Sequence, residues 1–359
     1  MSYDTIVSKS VDDLFGIAIP EHLRASAVFP TRLNLPAIAE KFVPGKKGGY
    51  IFRKSLVKVM QQWVSANNGR ANILFTGDTG TGKTSLIEQV ASRLGWPVFR
   101  QGCHVAMEFQ ELVGRQALVD GSTKWVDGPM VMAMRFGGIL LLDEINMIPP
   151  GTAGALNTAL DTALAGYQSK DGLMGAIEDF KLGINQSGGF SVAETGEMVH
   201  VHPCFRIAAT GNALDGAGKS NYRGVQTPNI ALMDRFTIGA KIDYMTIAEE
   251  CQLFNAVYPI VSNKIVQSLC EVAKGTRDSY AAGAGGCIIS TRVLDAIFAQ
   301  LASSSTDDEA VQLRYIGEAL QMSLLYRINE ADAGAILTAT ESLVRQNFGN
   351  TLPKDWSMK

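Results

Sequence analysis

Gly77-Asp78-Thr79-Gly80-Thr81-Gly82-Lys83-Thr84 satisfies the pattern GxxxxGK[ST] at every fixed position. The flanking residues support it. Asn72–Thr76 (NILFT) is a short apolar run that reads as a strand. Thr84–Leu94 places Leu86, Val90 and Leu94 at helical spacing, with Gly95 and Pro97 as stop signals. A glycine-rich loop between strand and helix aims backbone N–H groups, and the positive end of the helix, at phosphate oxygens. Residues 77–85, Ser85 included, are therefore the expected nucleotide-binding loop. Lys83 is expected to reach the β- and γ-phosphates of ATP, and the Thr84 hydroxyl to ligate Mg2+.

Downstream, Ile139-Leu140-Leu141-Leu142 is fully apolar and runs into Asp143-Glu144. A strand buried on both faces has this composition, and ligands of open α/β sheets bind beyond the carboxyl ends of the strands. That placement assigns Asp143 to the Mg2+ shell and Glu144 to the attacking water. Further apolar runs, PVFR at 97–100 and FRIAAT at 205–210, alternate with helical stretches. Such alternation predicts an α/β fold, a parallel sheet with helices on both faces. Before the first of these strands, Leu56, Val59, Met60 and Trp63 predict a helix. After Tyr244 the strand signals fade, and 246–349 reads as helices broken by glycines at 281–286 and by polar residues at 303–308. The expected organisation is a lead-in segment (1–45), an α/β ATPase core (46–245) and a smaller all-α lid domain (246–359).

Composition narrows the function classes. With 359 residues, about two domains are expected, large enough for a core without disulfide or metal staples. The 46% hydrophobic and 19% charged content rules out wholesale disorder. A net charge of −3 argues against a strongly basic nucleic-acid binder but leaves a local patch open, and Lys46-Lys47 and Arg53-Lys54 read as solvated faces sooner than as such a patch. The apolar stretch from Met130 to Leu142 is interrupted by Arg135 and ends at Asp143, too short and too charged to span a bilayer. The opening MSYDTIVSKSVDDL has no secretory pattern, and the 5 cysteines form no CxxC pair, so reduced thiols and a cytoplasmic location are expected. His200 and His202 could face one metal, but no third ligand stands at suitable spacing; a hairpin residue followed by a turn-forming His-Pro is the simpler reading.

The two motifs resemble the Walker A and B boxes of P-loop NTPases, and three further segments point to the AAA+ class. Phe205–Asn212 resembles the sensor-1 strand, which implies that Asn212 orients the lytic water. Ala231-Leu232-Met233-Asp234-Arg235-Phe236 resembles a segment of the MoxR branch, in which an arginine is presented to the neighbouring subunit's nucleotide; this implies a trans role for Arg235. Ile289-Ser290-Thr291-Arg292 resembles sensor 2 and implies that Arg292 contacts the γ-phosphate in cis. Between Gln116–Val119 and Lys124–Val126, Asp120-Gly121 is a hairpin turn signal, similar to the helix-2 insert of that branch. Within the branch the chain is most similar to the ATPase subunit of aerobic cobaltochelatase, then to CbbQ/NorQ-type activators, on Gly95-Trp96-Pro97, Leu112-Val113-Gly114 and His202-Pro203. The likeness covers about 42–300.

The resemblance implies a hexameric homo-oligomeric ring motor that remodels or activates a client protein complex, of metal-chelatase type or a metalloenzyme. It also implies a partner carrying a von Willebrand factor A domain. A nucleic-acid-stimulated motor or a restriction-type GTPase on the same fold is the alternative. Residues 168–189 look longer than the usual connection, and 1–41 resemble nothing in the branch. Arg223 could compete with Arg235, Arg135 and Arg206 could form ion pairs or face a neighbouring protomer, and Met107 and Phe109 could pack in the core or face a pore.

Overall fold

The computed structural model describes residues 5–65, 72–164, 172–183, 189–212, 230–303, 307–352 and 356. The chain divides into two compact units. One comprises Met1–Lys46, Phe52–Gly77 and Lys83–Ile242; the other comprises Lys47–Ile51, Asp78–Gly82 and Asp243–Lys359.

The first unit opens with β1 (Thr5–Ser10), α1 (Val11–Phe15), β2 (Val28–Leu33), α2 (Ala37–Glu40) and α3 (Lys54–Val64). Then come β3 (Ile73–Thr76), α4 (Lys83–Leu94), β4 (Val98–Gly102), α5 (Gln110–Val113), β5 (Gly114–Val119), β6 (Ser122–Asp127), α6 (Pro129–Phe136) and β7 (Ile139–Asp143). It continues through α7 (Pro150–Leu164), α8 (Gly172–Lys181), β8 (Gly189–Val192), β9 (Glu197–His200), β10 (Arg206–Gly211), α9 (Ile230–Met233) and β11 (Ile238–Lys241).

Its centre is a 5-stranded sheet in the order β11-β3-β10-β7-β4, parallel throughout. Successive side chains of a strand point to opposite faces, so the apolar run of β7 feeds two cores. Leu140 and Leu142 join Met130, Met134 and Leu156 on one face. Ile139 and Leu141 join Met60, Trp63, Ile87 and Val90 on the other. This doubly covered parallel sheet is the expected α/β architecture.

Residues 5–33, for which the sequence offered no likeness, are built into the second of these cores. β1 and β2 pair antiparallel, Phe29 is fully buried with Trp96, and the Trp96 Nε1–H donates to the Pro30 carbonyl at 2.9 Å. Arg32 donates to the carbonyls of Gly137 at 2.6 Å and Phe136 at 2.8 Å, anchoring β2 beside the turn that leads into β7. Part of the long connection at 168–189 is also ordered: α8 buries Leu173, Ala176 and Ile177, while 168–171 and 184–188 lie outside the described residues. The hairpin signal at Asp120-Gly121 produces β5–β6, with both turn residues at positive φ (51° and 76°).

The second unit is helical: α10 (Ile247–Val257), α11 (Asn263–Ala281), α12 (Thr291–Ser303), α13 (Glu309–Ser323) and α14 (Glu330–Phe348) surround a core that includes Leu269, Leu294, Phe298, Ile316 and Val344. Side chains cap its helices. Thr246 and Glu249 form a reciprocal capping box on α10, and Asn329 accepts from the Asp332 N–H at 2.8 Å on α14. Among the described residues, no helix is long and apolar enough to cross a membrane.

Candidate active site

In the first unit the strand order sets the site. β10 lies between β3, which enters the glycine loop, and β7, which ends in Asp143, so the carboxyl ends of all three strands share one rim. Parallel register puts Gly211 beside Thr76, and Asn212 follows directly, half-buried. Gly77 has φ +144°, and a Cβ there would stand 2.2 Å from the Ile242 carbonyl oxygen; only glycine lets the loop leave β3 beside the end of β11. Lys83 opens α4 and donates from Nζ to the Gly77 carbonyl at 2.8 Å, which folds its side chain back along the loop. Ser85 sits half-buried in the first turn of the same helix.

Asp143 is the hub of the rim. The Thr84 hydroxyl donates to its Oδ1 at 2.9 Å, the Thr210 hydroxyl donates to the same oxygen, and Arg100 pairs with Oδ2. Burial by itself pushes this carboxyl up. The Thr210 and Thr84 hydroxyls and the Arg100 guanidinium outweigh that and hold it below the ordinary carboxylate range, so it is anionic at neutral pH. One anionic carboxylate beside one threonine hydroxyl is an oxygen donor set suited to Mg2+, a hard cation that completes its shell with water and phosphate oxygens. Among the described residues no cluster of three or more His, Cys, Asp or Glu side chains could hold a metal by itself.

Glu144 follows with φ 59° and ψ 49°, a left-handed conformation that costs a non-glycine residue about 1–3 kcal/mol. Its backbone N–H donates to Thr210 Oγ1 at 3.2 Å, and its side chain is exposed on the rim. Strain that turns an exposed carboxylate out of a buried strand end is the arrangement expected at a functional position.

Arg235 lies two residues beyond α9. Its guanidinium pairs with Asp161 of α7, with Nε donating to Oδ1 at 3.2 Å, and NH1 donates to the Ala231 carbonyl at 2.8 Å. In the second unit, loop residues 78–82 lie against the start of α12. A Cβ on Gly80 would be 2.7 Å from Ser290 Cβ and 3.9 Å from Arg292 Cβ, and Arg292 itself is exposed.

The other sequence candidates have structural settings. Arg206 is buried, donates to the carbonyls of Pro203, Phe205 and Val64, and has its pKa lowered by burial to about 10. Arg135 pairs with Asp127 and Glu197 of its own chain. Met107 is a core residue and Phe109 packs partly buried against that core. His200 ends β9, while His202 is buried, accepts from the Cys204 N–H at 3.0 Å and packs edge-on against Phe180. Arg223 lies outside the described residues. Thr210, Arg100 and Tyr244 were not anticipated. Thr210 and Arg100 had one signal, their position at or near the carboxyl ends of strands where ligands bind.

A glycine loop after β3, a threonine-held acidic end on β7 and the strand β10 between them define a P-loop nucleoside triphosphatase with the AAA+ fold. Residues 72–236 match the AAA domain of the dynein-related subfamily, and the chain carries an ATP-hydrolysing core of AAA+ fold. It is 26% identical over 361 residues to the aerobic cobaltochelatase subunit CobS of a Sinorhizobium species, covering 94% of this chain and 96% of that one. Protein NorQ of Paracoccus denitrificans is 42% identical over 73 residues, which cover 20% of this chain and 27% of NorQ. Among solved structures, the Thermotoga maritima RuvB Holliday junction branch migration motor aligns with a TM-score of 0.43 at 15% identity, over 76% of this chain and 69% of that one, too loosely to bear on function.

Proposed function

We propose that the chain is the ATP-hydrolysing subunit of a ring motor, located in the cytoplasm, that remodels or activates a client protein complex of metal-chelatase or metalloenzyme type. Phosphoryl transfer needs positioning and charge neutralisation more than covalent chemistry. In this reading the 77–85 backbone and Lys83 hold the triphosphate, Glu144 and Asn212 orient the attacking water, and Arg292 contacts the γ-phosphate. Thr84 and Asp143 would hold Mg2+, which would supply charge neutralisation to the triphosphate. Arg235 acts on the nucleotide of the next subunit. An arginine supplied in trans requires a head-to-tail interface, and such interfaces close into rings when the rotation permits, here a hexamer.

What supports the client class best is the extent of the likeness to the cobaltochelatase subunit, which spans 96% of that protein. A partner with a von Willebrand factor A domain belongs to the same reading. The test is capture with the Glu144→Gln protein in ATP and Mg2+, with mass photometry for the ring. Six-membered particles that retain a von Willebrand A-domain protein in ATP and release it in ADP are expected. A monomer under all nucleotides would defeat the ring reading, and nucleotide-independent capture would defeat the motor reading.

A further inference from the structure

Within the second unit the tip of the glycine loop is tied to the segment that carries Arg292. The Tyr244 hydroxyl donates to the Thr79 carbonyl at 2.7 Å. The ring of Tyr244 stacks on the guanidinium of Arg277, whose Cζ is 4.1 Å from the ring centroid. Arg277 in turn clamps Glu250 with two near-parallel bonds of 3.0 and 2.9 Å. Both partners are withdrawn from water, with side-chain exposures of 8% and 0%.

The same pair grips the start of α12. Thr291 Oγ1 donates to Glu250 Oε1 at 2.8 Å, and Arg277 Nε donates to the Ile289 carbonyl at 2.8 Å. The Ile289 N–H donates to Thr276 Oγ1 at 3.0 Å. Residues 289–291 are thus fixed on several sides immediately before Arg292. Gly80 closes the circuit. Its φ is +81°, and any side chain there would collide with Ser290 Cβ at 2.7 Å and Oγ at 2.9 Å. Loop tip, Tyr244, buried ion pair and α12 start therefore form one continuous body. Charge-assisted bidentate bonds, a cation–π contact and close packing are directional and short-ranged, so a shift of the loop at Thr79 cannot be absorbed without moving this body.

We propose that Tyr244 is a positioning residue of the ATP cycle: its hydroxyl on Thr79 and its ring on Arg277 set the placement of Arg292 relative to the phosphate loop, and so the chain's preference for ATP over ADP. The inference rests on the reading of Arg292 as the γ-phosphate contact. A merely structural Tyr244 would affect ATP and ADP alike, because both nucleotides use the loop. A positioning Tyr244 acts on the γ-phosphate alone.

The test is calorimetric titration of ATP and of ADP, each with Mg2+, in full-length Glu144→Gln protein so that ATP persists. The Tyr244→Phe, Arg292→Ala and doubly substituted forms are compared, with thermal unfolding as a control. Tyr244→Phe keeps the ring and removes one neutral hydrogen bond. It is expected to raise the Kd for ATP about fivefold, to change that for ADP less than about twofold, and to add nothing in the Arg292→Ala background. Equal weakening of ATP and ADP, or an undiminished ATP effect in the Arg292→Ala background, overturns the proposal. If Arg292→Ala loses ATP preference while Tyr244→Phe keeps it, the Tyr244 inference alone fails. If Arg292→Ala itself keeps full ATP preference, the Arg292 assignment fails, and the proposal with it.

Discussion

Arg100 takes one carboxylate oxygen of Asp143 while Thr84 and Thr210 share the other. The guanidinium also lies 3.6 Å from Glu88. A side-chain cation therefore sits on the carboxylate that a metal would need, and the two compete. Because the Arg100 side chain is 52% exposed, its hold on Asp143 is discounted to about 1 kcal/mol or less. Arg100→Gln is expected to lower the Mg2+ concentration for half-maximal ATPase about two- to fivefold. A rise in that concentration on titration would instead assign Arg100 to the nucleotide.

Glu144 is exposed on the rim in a strained backbone conformation, whereas Lys83 folds back along the loop. The two residues should therefore fail differently. Glu144→Gln is expected to bind ATP like the parent and to hydrolyse it about 10²–10⁴-fold more slowly, the usual contribution of a positioned base. Lys83→Ala is expected to lose ATP affinity. Equilibrium binding combined with single-turnover hydrolysis separates the two, and wild-type turnover in Glu144→Gln removes Glu144 from the mechanism.

Arg235 is paired with Asp161, but that partner is 62% exposed and the pair is weak. Release of Arg235 to a neighbouring nucleotide is therefore inexpensive. Arg235→Ala is expected to cut ATPase by about 10³-fold or more, as arginine fingers do. Asp161→Asn should change it less than about threefold. Mixing Arg235→Ala subunits with Lys83→Ala subunits, which still carry Arg235, should restore activity in proportion to mixed interfaces; no recovery at any ratio would leave Arg235 a cis structural residue.

Glu250 and Arg277 neutralise each other in a dry setting. Removing one charge leaves the other buried and unpaired, at a cost of about 3–5 kcal/mol. Glu250→Gln is expected to lower the stability of the protein by that order in urea unfolding followed by far-UV circular dichroism. A loss below about 1 kcal/mol would mean that water reaches the pair.

Cys103 lies beside the Asp143 backbone, and burial, with the charges of Asp143, Glu144 and Glu111, pushes its thiol up to about 12. The folded protein thus holds the proton that the unfolded chain releases near pH ~8.5. That contribution to stability is complete below the unfolded value and is lost as pH rises towards the folded one. Between pH ~9 and ~11 the wild type should lose stability faster than Cys103→Ala. At pH ~8 Cys103 should resist iodoacetamide until the chain unfolds. Rapid alkylation of the native protein at that residue would contradict the buried setting.

The legible parts of this molecule share one property: their signals are short-range. The loop from Gly77 to Thr84 could be read because three glycines adopt positive φ between a strand and a helix start. β7 could be read because a strand covered on both faces tolerates only apolar residues until it reaches the rim at Asp143. Asp120-Gly121 announced its hairpin through turn geometry. The helical character of 246–349 could be read because strand signals fade after Tyr244 and the breaks fall at glycines and polar residues.

What the chain order alone could not reveal lies in contacts between distant positions. Thr210 and Arg100 reach Asp143 across 67 and 43 positions, brought there by a strand order that no local pattern encodes. Tyr244 meets Thr79 across 165 positions and stacks on an arginine whose partner, Glu250, lies on another helix. Residues 5–33 read only as part of a lead-in segment, yet Phe29 and Trp96 are buried in one core and the Trp96 indole donates to the Pro30 carbonyl. Local propensity and burial pattern write themselves into neighbouring residues, so the glycine loop and the acidic strand end are visible in one dimension. Which side chains surround them is settled only when parallel strands find their register and the chain closes on itself.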